Sequence, residues 1–529
     1  MYASIPSFSP LVNTRTRSSQ TTRPDCRRAK IRSSLGQGRH STIGGSAMTR
    51  AVPFLEVLTP DQVEQIHQYA LRVLQEVGVW LPNREILSIF RDAGARVDLD
   101  AQTVHIPAHI VQASIDKFPP GFTWNARKAE NSLAMDGSRT HFSFPDSTIR
   151  IMDLDGRRRP GTAADGEDIC RLCDALPNMA IASTGVNPPD MGNLVLEAWL
   201  TRTMYTQCSK PIYGTCRNAE VSHMTLRMAE VVADCCDHLA PGQLPLAIIT
   251  NPVSPLYNEP NQLEGMLVYL KRGLPISISP EVQAGATGPA TLAGTMVQQT
   301  AEFLAHATLA QLVSPGVPVI YGTVSSVFDM KKMMLPYGAP EADLIGIATV
   351  QMARYYGIPG RTTGGSSDAN ALGMEAGVDS LMSTLLSILA GATFVLHGAG
   401  EYENTMTVSY EKILIDDEII SMARRVAAGF EVTPETLAFD IIQDVGPRGN
   451  YLATKHTMRH FRKEQFMPSL IVRDKFETWE AEGSKRAEER ARDRARDLLA
   501  NHRPDPLPEE AVRELDAIYA SVRRSAGLA

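Results

Sequence analysis

The residues best suited to chemistry stand just past three short apolar runs, 318–323, 358–364 and 392–398, which long helical patterns separate. After the last run the chain reads His397-Gly398-Ala399-Gly400-Glu401-Tyr402-Glu403-Asn404, which is the densest polar constellation in the sequence. A carboxylate beside an aromatic ring offers a quaternary ammonium charge balance and a cation–π face together. Glu401, Tyr402 and Glu403 are therefore the expected cation-binding residues. Past the middle run stand Gly364, Gly365, Ser366, Ser367 and Asp368. Past the first stand Tyr321 and Gly322, with Asp329 downstream in an otherwise apolar loop. Asp368, His397 and Asp329 are the candidate catalytic residues, and Tyr321 is the candidate supporting wall. Each has a plainer reading as a loop residue that satisfies backbone or faces water. Asn251 also follows an apolar run and could aim an amide into the mouth or satisfy backbone in a proline-stiffened loop, while the Pro280-Glu281 step follows a further run with no role assigned.

The elements that must hold these residues repeat along the chain. Strand candidates fall at 141–151, 179–185, 210–216, 244–250, 274–280, 317–323, 358–364 and 392–398. Helical patterns separate them at 162–176, 194–207, 219–234, 261–272, 294–313, 340–356 and 374–390. Three strands begin on an Xaa-Pro step, at Lys210-Pro211, Leu244-Pro245 and Leu274-Pro275, and the first strand position tolerates proline's missing N–H. Eight β–α units are the number that closes a TIM (β/α)8 barrel, whose chemistry sits in the loops at the strands' C-terminal ends. The expected class is thus α/β. The expected divisions are an extension at 1–53, a small helical region at 54–140, the barrel at 141–400 and a mainly helical C-terminal extension at 401–529.

Composition narrows the function. A net charge of −7 leaves no basic footprint for nucleic acid. No apolar run of membrane-spanning length occurs. Seven irregularly spaced cysteines fit a reducing, cytoplasmic setting better than a disulfide framework. Cys170 and Cys173 form one CxxC inside a helical pattern with no second pair, which reads as a buried structural pair; the alternative is a redox or zinc role. No metal-ligand spacing, G-x-S-x-G elbow or strand-borne GxGxxG is found, so no metal site is expected. Residues 1–53 carry nine Lys and Arg against the single acid Asp25. That reads as a disordered tail or an upstream start ahead of Met48, with an organelle transit peptide as the alternative.

Longer stretches carry a resemblance. NPVSPL, GATGPATLAG, QLVSPGVPVIYGT, YGAPEADL, AGATFVLHGAGE and VGPRGNYLATKHTMRHFR resemble the trimethylamine methyltransferase superfamily in its non-pyrrolysine branch, over about 54–520. The resemblance implies a barrel enzyme that moves a methyl group from a methylated amine to the cobalt of a corrinoid (cobalamin) held by a separate partner protein. It also implies a homo-oligomer, and a quaternary or tertiary methylated amine such as glycine betaine as donor. A quaternary ammonium releases a neutral amine without prior protonation, so positioning would supply most of the catalysis. Pyrrolysine in the trimethylamine-specific branch is expected to correspond to a position near Gly364–Ser367. Family members read roughly DSK…DxQAG where this chain has Asp368-Ala369-Asn370 and Gly373-Met374-Glu375-Ala376-Gly377. A lysine, an aspartate and a glutamine are thus replaced. Glu375 is the residue expected to restore part of the charge at the substrate. Another donor (trimethylamine or a sulfonium) and a non-catalytic methylamine-binding protein remain the alternative readings.

Overall fold

The computed structural model describes residues 52–145 and 147–527, so the expected extension lies, up to Ala51, outside the described residues. The eight expected strand regions each contain a strand. They are β1 (His141–Ser143), β2 (Met179–Ile181), β3 (Ile212–Thr215), β4 (Leu246–Thr250), β5 (Ile276–Ile278), β6 (Val319–Gly322), β7 (Gly360–Thr363) and β8 (Phe394–Leu396). All pair in parallel, in the order β3-β4-β5-β6-β7-β8-β1-β2. The remaining seam is bridged where Ala182 N–H donates to the Pro211 carbonyl at 2.8 Å, so the sheet is a nearly closed barrel. Each strand is followed by a long helix: α1 (Ala163–Ala175), α2 (Asn193–Gln207), α3 (Ala219–Ala233), α4 (Pro260–Lys271), α5 (Leu292–Val313), α6 (Pro340–Tyr355), α7 (Met374–Ala390) and α8 (Tyr410–Ala428).

Strand alternation divides the core in two. Ile181, Tyr213, Ala247, Ile249, Ile320, Phe394 and Leu396 form an inner cluster, while Ile248, Ile276, Val319 and Val395 join the larger layer that includes the helices. The inner cluster is stoppered at the strands' N-terminal end by an antiparallel hairpin, Phe122–Trp124 with Leu133–Met135. Trp124 meets Phe394 edge-on at 5.7 Å, and its indole N–H donates to the Ile212 carbonyl at 3.0 Å. With that end filled, only the opposite end can admit a ligand.

One sequence expectation is corrected, and the helical N- and C-terminal regions gain short strands. The run 141–151 is two strands: β1 stops ahead of Phe144-Pro145, and Arg150–Met152 joins a separate sheet with Arg158–Pro160, Glu401–Tyr402 and Thr407–Ser409. The segment after Gly400 thus begins in strands before its helices start. The N-terminal region also carries a three-stranded antiparallel sheet (Val79–Trp80, Thr103–His105, Arg96–Asp98) beside its helices. Cys170 and Cys173 are fully buried on α1, and burial pushes both thiols well above their ordinary range. Among the described residues, no helix is long and apolar enough to cross a membrane.

Candidate active site

The open end of the barrel holds a cavity of about 260 Å³. Its charged and titratable wall comes from four strand ends: Arg217 after β3, where it pairs with Glu197, Glu281 after β5, Arg361 on β7 and His397 after β8. Arg361, on β7, is 1% exposed and lines the cavity. Its cross-strand partner on β6 is Gly322, where an added Cβ would lie 1.9 Å from Ser279 Oγ and 2.9 Å from the Arg361 Cδ. Only glycine leaves the guanidinium stem its path through the barrel. The head lies 5.9 Å from the centre of the Phe394 ring, a cation–π contact at the cavity floor.

Glu281 follows β5 and is half-buried. The Tyr337 hydroxyl donates to its Oε1 at 3.3 Å. Burial raises the Glu281 carboxyl above its ordinary range, while Tyr337, His397 and Arg361 pull it back. Burial also pushes the Tyr337 phenol far up, beside Glu281 and Glu401, so it stays a neutral donor. Thr250 and Asn251 complete the wall at the end of β4, and Val324 does so after β6.

His397 follows β8 with φ +61°, a left-handed conformation that a side chain adopts at a cost. The loop is forced there by close packing: a Cβ on Gly365 would lie 2.3 Å from the Gly398 carbonyl oxygen, and Gly398 N–H donates to the Ser143 carbonyl at 2.7 Å. His397 Nδ1 lies 2.7 Å from Glu401 Oε2. A carboxylate can only accept, so the proton sits on Nδ1. Glu401 itself is 0% exposed, and among the described residues its Oε1 has no hydrogen-bond partner.

The structure brings together His397 and Glu401, and places Asp368 one layer behind them. Asp368 accepts the backbone N–H of Tyr337 at 3.0 Å and of Gly338 at 2.9 Å, and the Asn404 amide at 2.9 Å. It therefore fixes the loop that carries Tyr337. Behind it Lys412 and Asp416, 3% and 2% exposed, form an ion pair at 2.6 Å. Lys412 Nζ also donates to the Gly365 carbonyl, and Asp416 accepts Gly400 N–H. This buried pair ties the loops after β7 and β8 to α8.

Of the eight expected residues only His397 lines the cavity; Glu401 and Asp368 stand behind it, and five others are placed elsewhere. Tyr321 points outward, because Ile320 takes the inner face. Its hydroxyl meets Thr300 at 2.9 Å, and its ring stacks on Phe303 at 3.9 Å. Tyr402 alternates away from Glu401 on one strand, so the expected carboxylate–ring pair is not assembled; burial pushes its phenol up to about 12. Glu403 is taken by Arg158 and by the Thr407 hydroxyl, which hold its carboxyl below the usual range. Asp329 accepts the N–H groups of Lys331 and Lys332 in its own turn. Glu375 is exposed in the first turn of α7, where it complements the helix dipole. Glu281, Tyr337 and Arg361 were present in the sequence without a role. The available signal was Arg361, a charge inside an otherwise buried strand run. Among the described residues no group of three or more His, Cys, Asp or Glu could hold a metal ion.

The family model described as trimethylamine methyltransferase (MTTB) matches residues 24–528. A glycine betaine methyltransferase of Desulfitobacterium hafniense (strain Y51) is 33% identical over 481 residues, covering 91% of this chain and 100% of that protein. A trimethylamine methyltransferase of Desulfitobacterium hafniense (strain DSM 10664 / DCB-2) is 32% identical over 470 residues, covering 89% of this chain and 94% of that protein. One of Methanosarcina thermophila is 31% identical over 468 residues, covering 88% and 96%.

Proposed function

The chain belongs to the trimethylamine methyltransferase (MTTB) family of corrinoid-dependent methyltransferases, and from that premise we propose that its donor is a quaternary methylamine carrying a carboxylate, of the glycine betaine kind. The observation that carries this reading is the pairing of opposite charges in one small cavity. Glu281 under the Tyr337 hydroxyl offers an anion and a ring to an ammonium, and Arg361 offers a buried cation to a carboxylate. The relative at 33% identity is named for glycine betaine, which agrees with this choice.

The cavity has room for such a molecule and none for a corrin macrocycle, which supports a methyl acceptor carried on a separate partner protein. When docked, that corrinoid would supply the nucleophile. The bonding pair of the broken C–N bond stays on nitrogen, so the amine leaves neutral and no proton has to be moved. The protein's task is then to hold the donor with one methyl toward the opening. Arg361 anchors the carboxylate at the floor, and Glu281 with Tyr337 holds the ammonium. The ammonium charge fades in the transition state, so the Glu281 contact favours bound substrate and acts on KM more than on kcat. His397, held in one tautomer by Glu401, shapes the wall.

The test is methyl transfer to a reduced corrinoid protein, followed by its absorbance, across betaines, trimethylamine and sulfonium compounds. Turnover with carboxylated quaternary amines is expected. Turnover with trimethylamine alone would overturn the reading.

A further inference from the structure

We propose that Glu302, a buried carboxyl on α5 outside the cavity lining, is a positioning residue for the methyl-donor site: it sets the two loops that carry Asn251 and Glu281. Glu302 is 0% exposed. Its Oε2 accepts the Ser254 hydroxyl at 2.8 Å, and its Oε1 accepts the Leu256 N–H at 2.9 Å. Both donors stand in the loop after β4, shortly past Asn251. The same Oε1 accepts the Gln298 amide at 3.0 Å, and that amide also donates to the Thr287 carbonyl at 2.8 Å, in the loop after β5. Thr287 Oγ1 in turn accepts the Gln283 N–H at 2.9 Å, close behind Glu281. One carboxyl thus joins the loops of two paired strands, each of which places a side chain in the cavity wall.

Burying a carboxyl costs free energy that an apolar side chain would not. Glu302 offsets that cost with three donors, and with them it holds a strained backbone. Leu256 has φ +57°, a left-handed conformation that a non-glycine residue keeps only when its surroundings fix it. The hold extends along one face of α5, where Gln298, Glu302 and His306 recur at every fourth residue. His306 Nδ1 lies 2.8 Å from the Glu302 carbonyl, which can only accept, so the proton sits on Nδ1 and Nε2 accepts the Asn258 amide at 3.2 Å. Burial lowers that imidazole to about 4 and keeps it neutral. Burial also pushes the Glu302 carboxyl up to about 7. The Ser254 hydroxyl suits either form, since it donates to a carboxylate and accepts from a carboxylic acid. Glu302→Gln therefore keeps every contact, with its oxygen toward Leu256 and Gln298 and its NH2 toward Ser254, whereas Glu302→Ala keeps none.

The role at the donor site rests on the functional reading above, so hydrogen exchange of the full chain without any donor tests the hold separately. Glu302→Ala should speed exchange at Leu256 and across 283–288, and Glu302→Gln should not. Gln298→Ala, which spares the buried carboxyl, should speed exchange across 283–288 alone. Kinetics with the donor that the wild type turns over then test the role. Glu302→Ala should raise KM about tenfold with kcat nearly kept, the scale of a lost buried hydrogen-bond partner, and Glu302→Gln should return KM to the wild-type value. Gln298→Ala should raise KM by itself and add nothing in a Glu281→Gln background, because it acts through Glu281. A merely structural loss would add in both backgrounds. Four results would each overturn the proposal: wild-type exchange in both loops of Glu302→Ala, loosened loops with no change in KM, Glu302→Gln as damaging as Glu302→Ala, or a Gln298→Ala effect undiminished beside Glu281→Gln. If Glu302→Ala does not fold, Gln298→Ala decides, and wild-type exchange across 283–288 in that variant overturns the proposal. Turnover of another donor class would change the functional reading and leave these comparisons intact.

Discussion

Glu281 and Asp368 are both carboxylates just past a barrel strand, yet the cavity wall and the layer behind it use them differently. Glu281 receives one side-chain donor and lines the cavity. Asp368 receives two backbone N–H groups and an amide, and its oxygens are committed to the loop that carries Tyr337. Glu403 and Asp329 resemble Asp368, one held by Arg158 and the other by its own turn. What a carboxylate can offer a ligand is what remains after the fold has supplied its donors. The wall keeps charge in reserve, and the layer behind it consumes charge to fix loops.

That contrast can be broken at several points. The largest effect should come from the back layer. Lys412→Met leaves Asp416 buried without its cation, which should cost about 3–5 kcal/mol of stability. Thermal or urea unfolding reads this directly, and a loss below about 1 kcal/mol would show that the pair does not hold the loops. Glu281→Gln, in the wall, should instead leave stability nearly unchanged and weaken binding of a quaternary amine by about 2–3 kcal/mol, the scale of a charged hydrogen-bonding partner. Calorimetry and a comparison of KM with kcat separate the two kinds of loss.

The same residue sets a pH dependence. The Glu281 carboxyl titrates above its ordinary range, and a proton and a cationic ligand compete for it. Affinity for a quaternary amine should therefore be full at high pH and fall as pH drops through that raised value. Glu281→Gln should show no such slope, and an identical slope in the variant would move the effect to another group. Asp368→Asn should be intermediate, losing about 1–2 kcal/mol of stability with weaker binding through a displaced Tyr337; paired unfolding and binding curves measure both. Glu403→Gln should be smallest. Its ion pair with Arg158 is partly exposed, so a change below about 1 kcal/mol and unaltered binding are expected. A large binding loss there would return the ligand to the loop after β8.

The eight strand regions were legible because apolar runs and helical periods alternate at a regular interval. The parity within each run was not. In the run Val319-Ile320-Tyr321 both faces are buried, so nothing in the pattern says that Ile320 looks inward and Tyr321 outward. The same ambiguity hid Arg361, whose inward path depends on Gly322 lying beside it on the next strand.

The amino-acid order alone thus determined the class of fold, the end of the barrel where chemistry must occur and the family resemblance, because these follow from local periodicity and from strand-end position. Only the tertiary structure decided which polar residues face the cavity. That choice depends on contacts between residues far apart in the chain, such as Tyr337 with Glu281 and Arg158 with Glu403. Glu401 was read from sequence as the ligand for a cation and lies instead behind His397. A carboxylate buried to 0% exposure takes the nearest N–H donor, and the fold decides which donor that is.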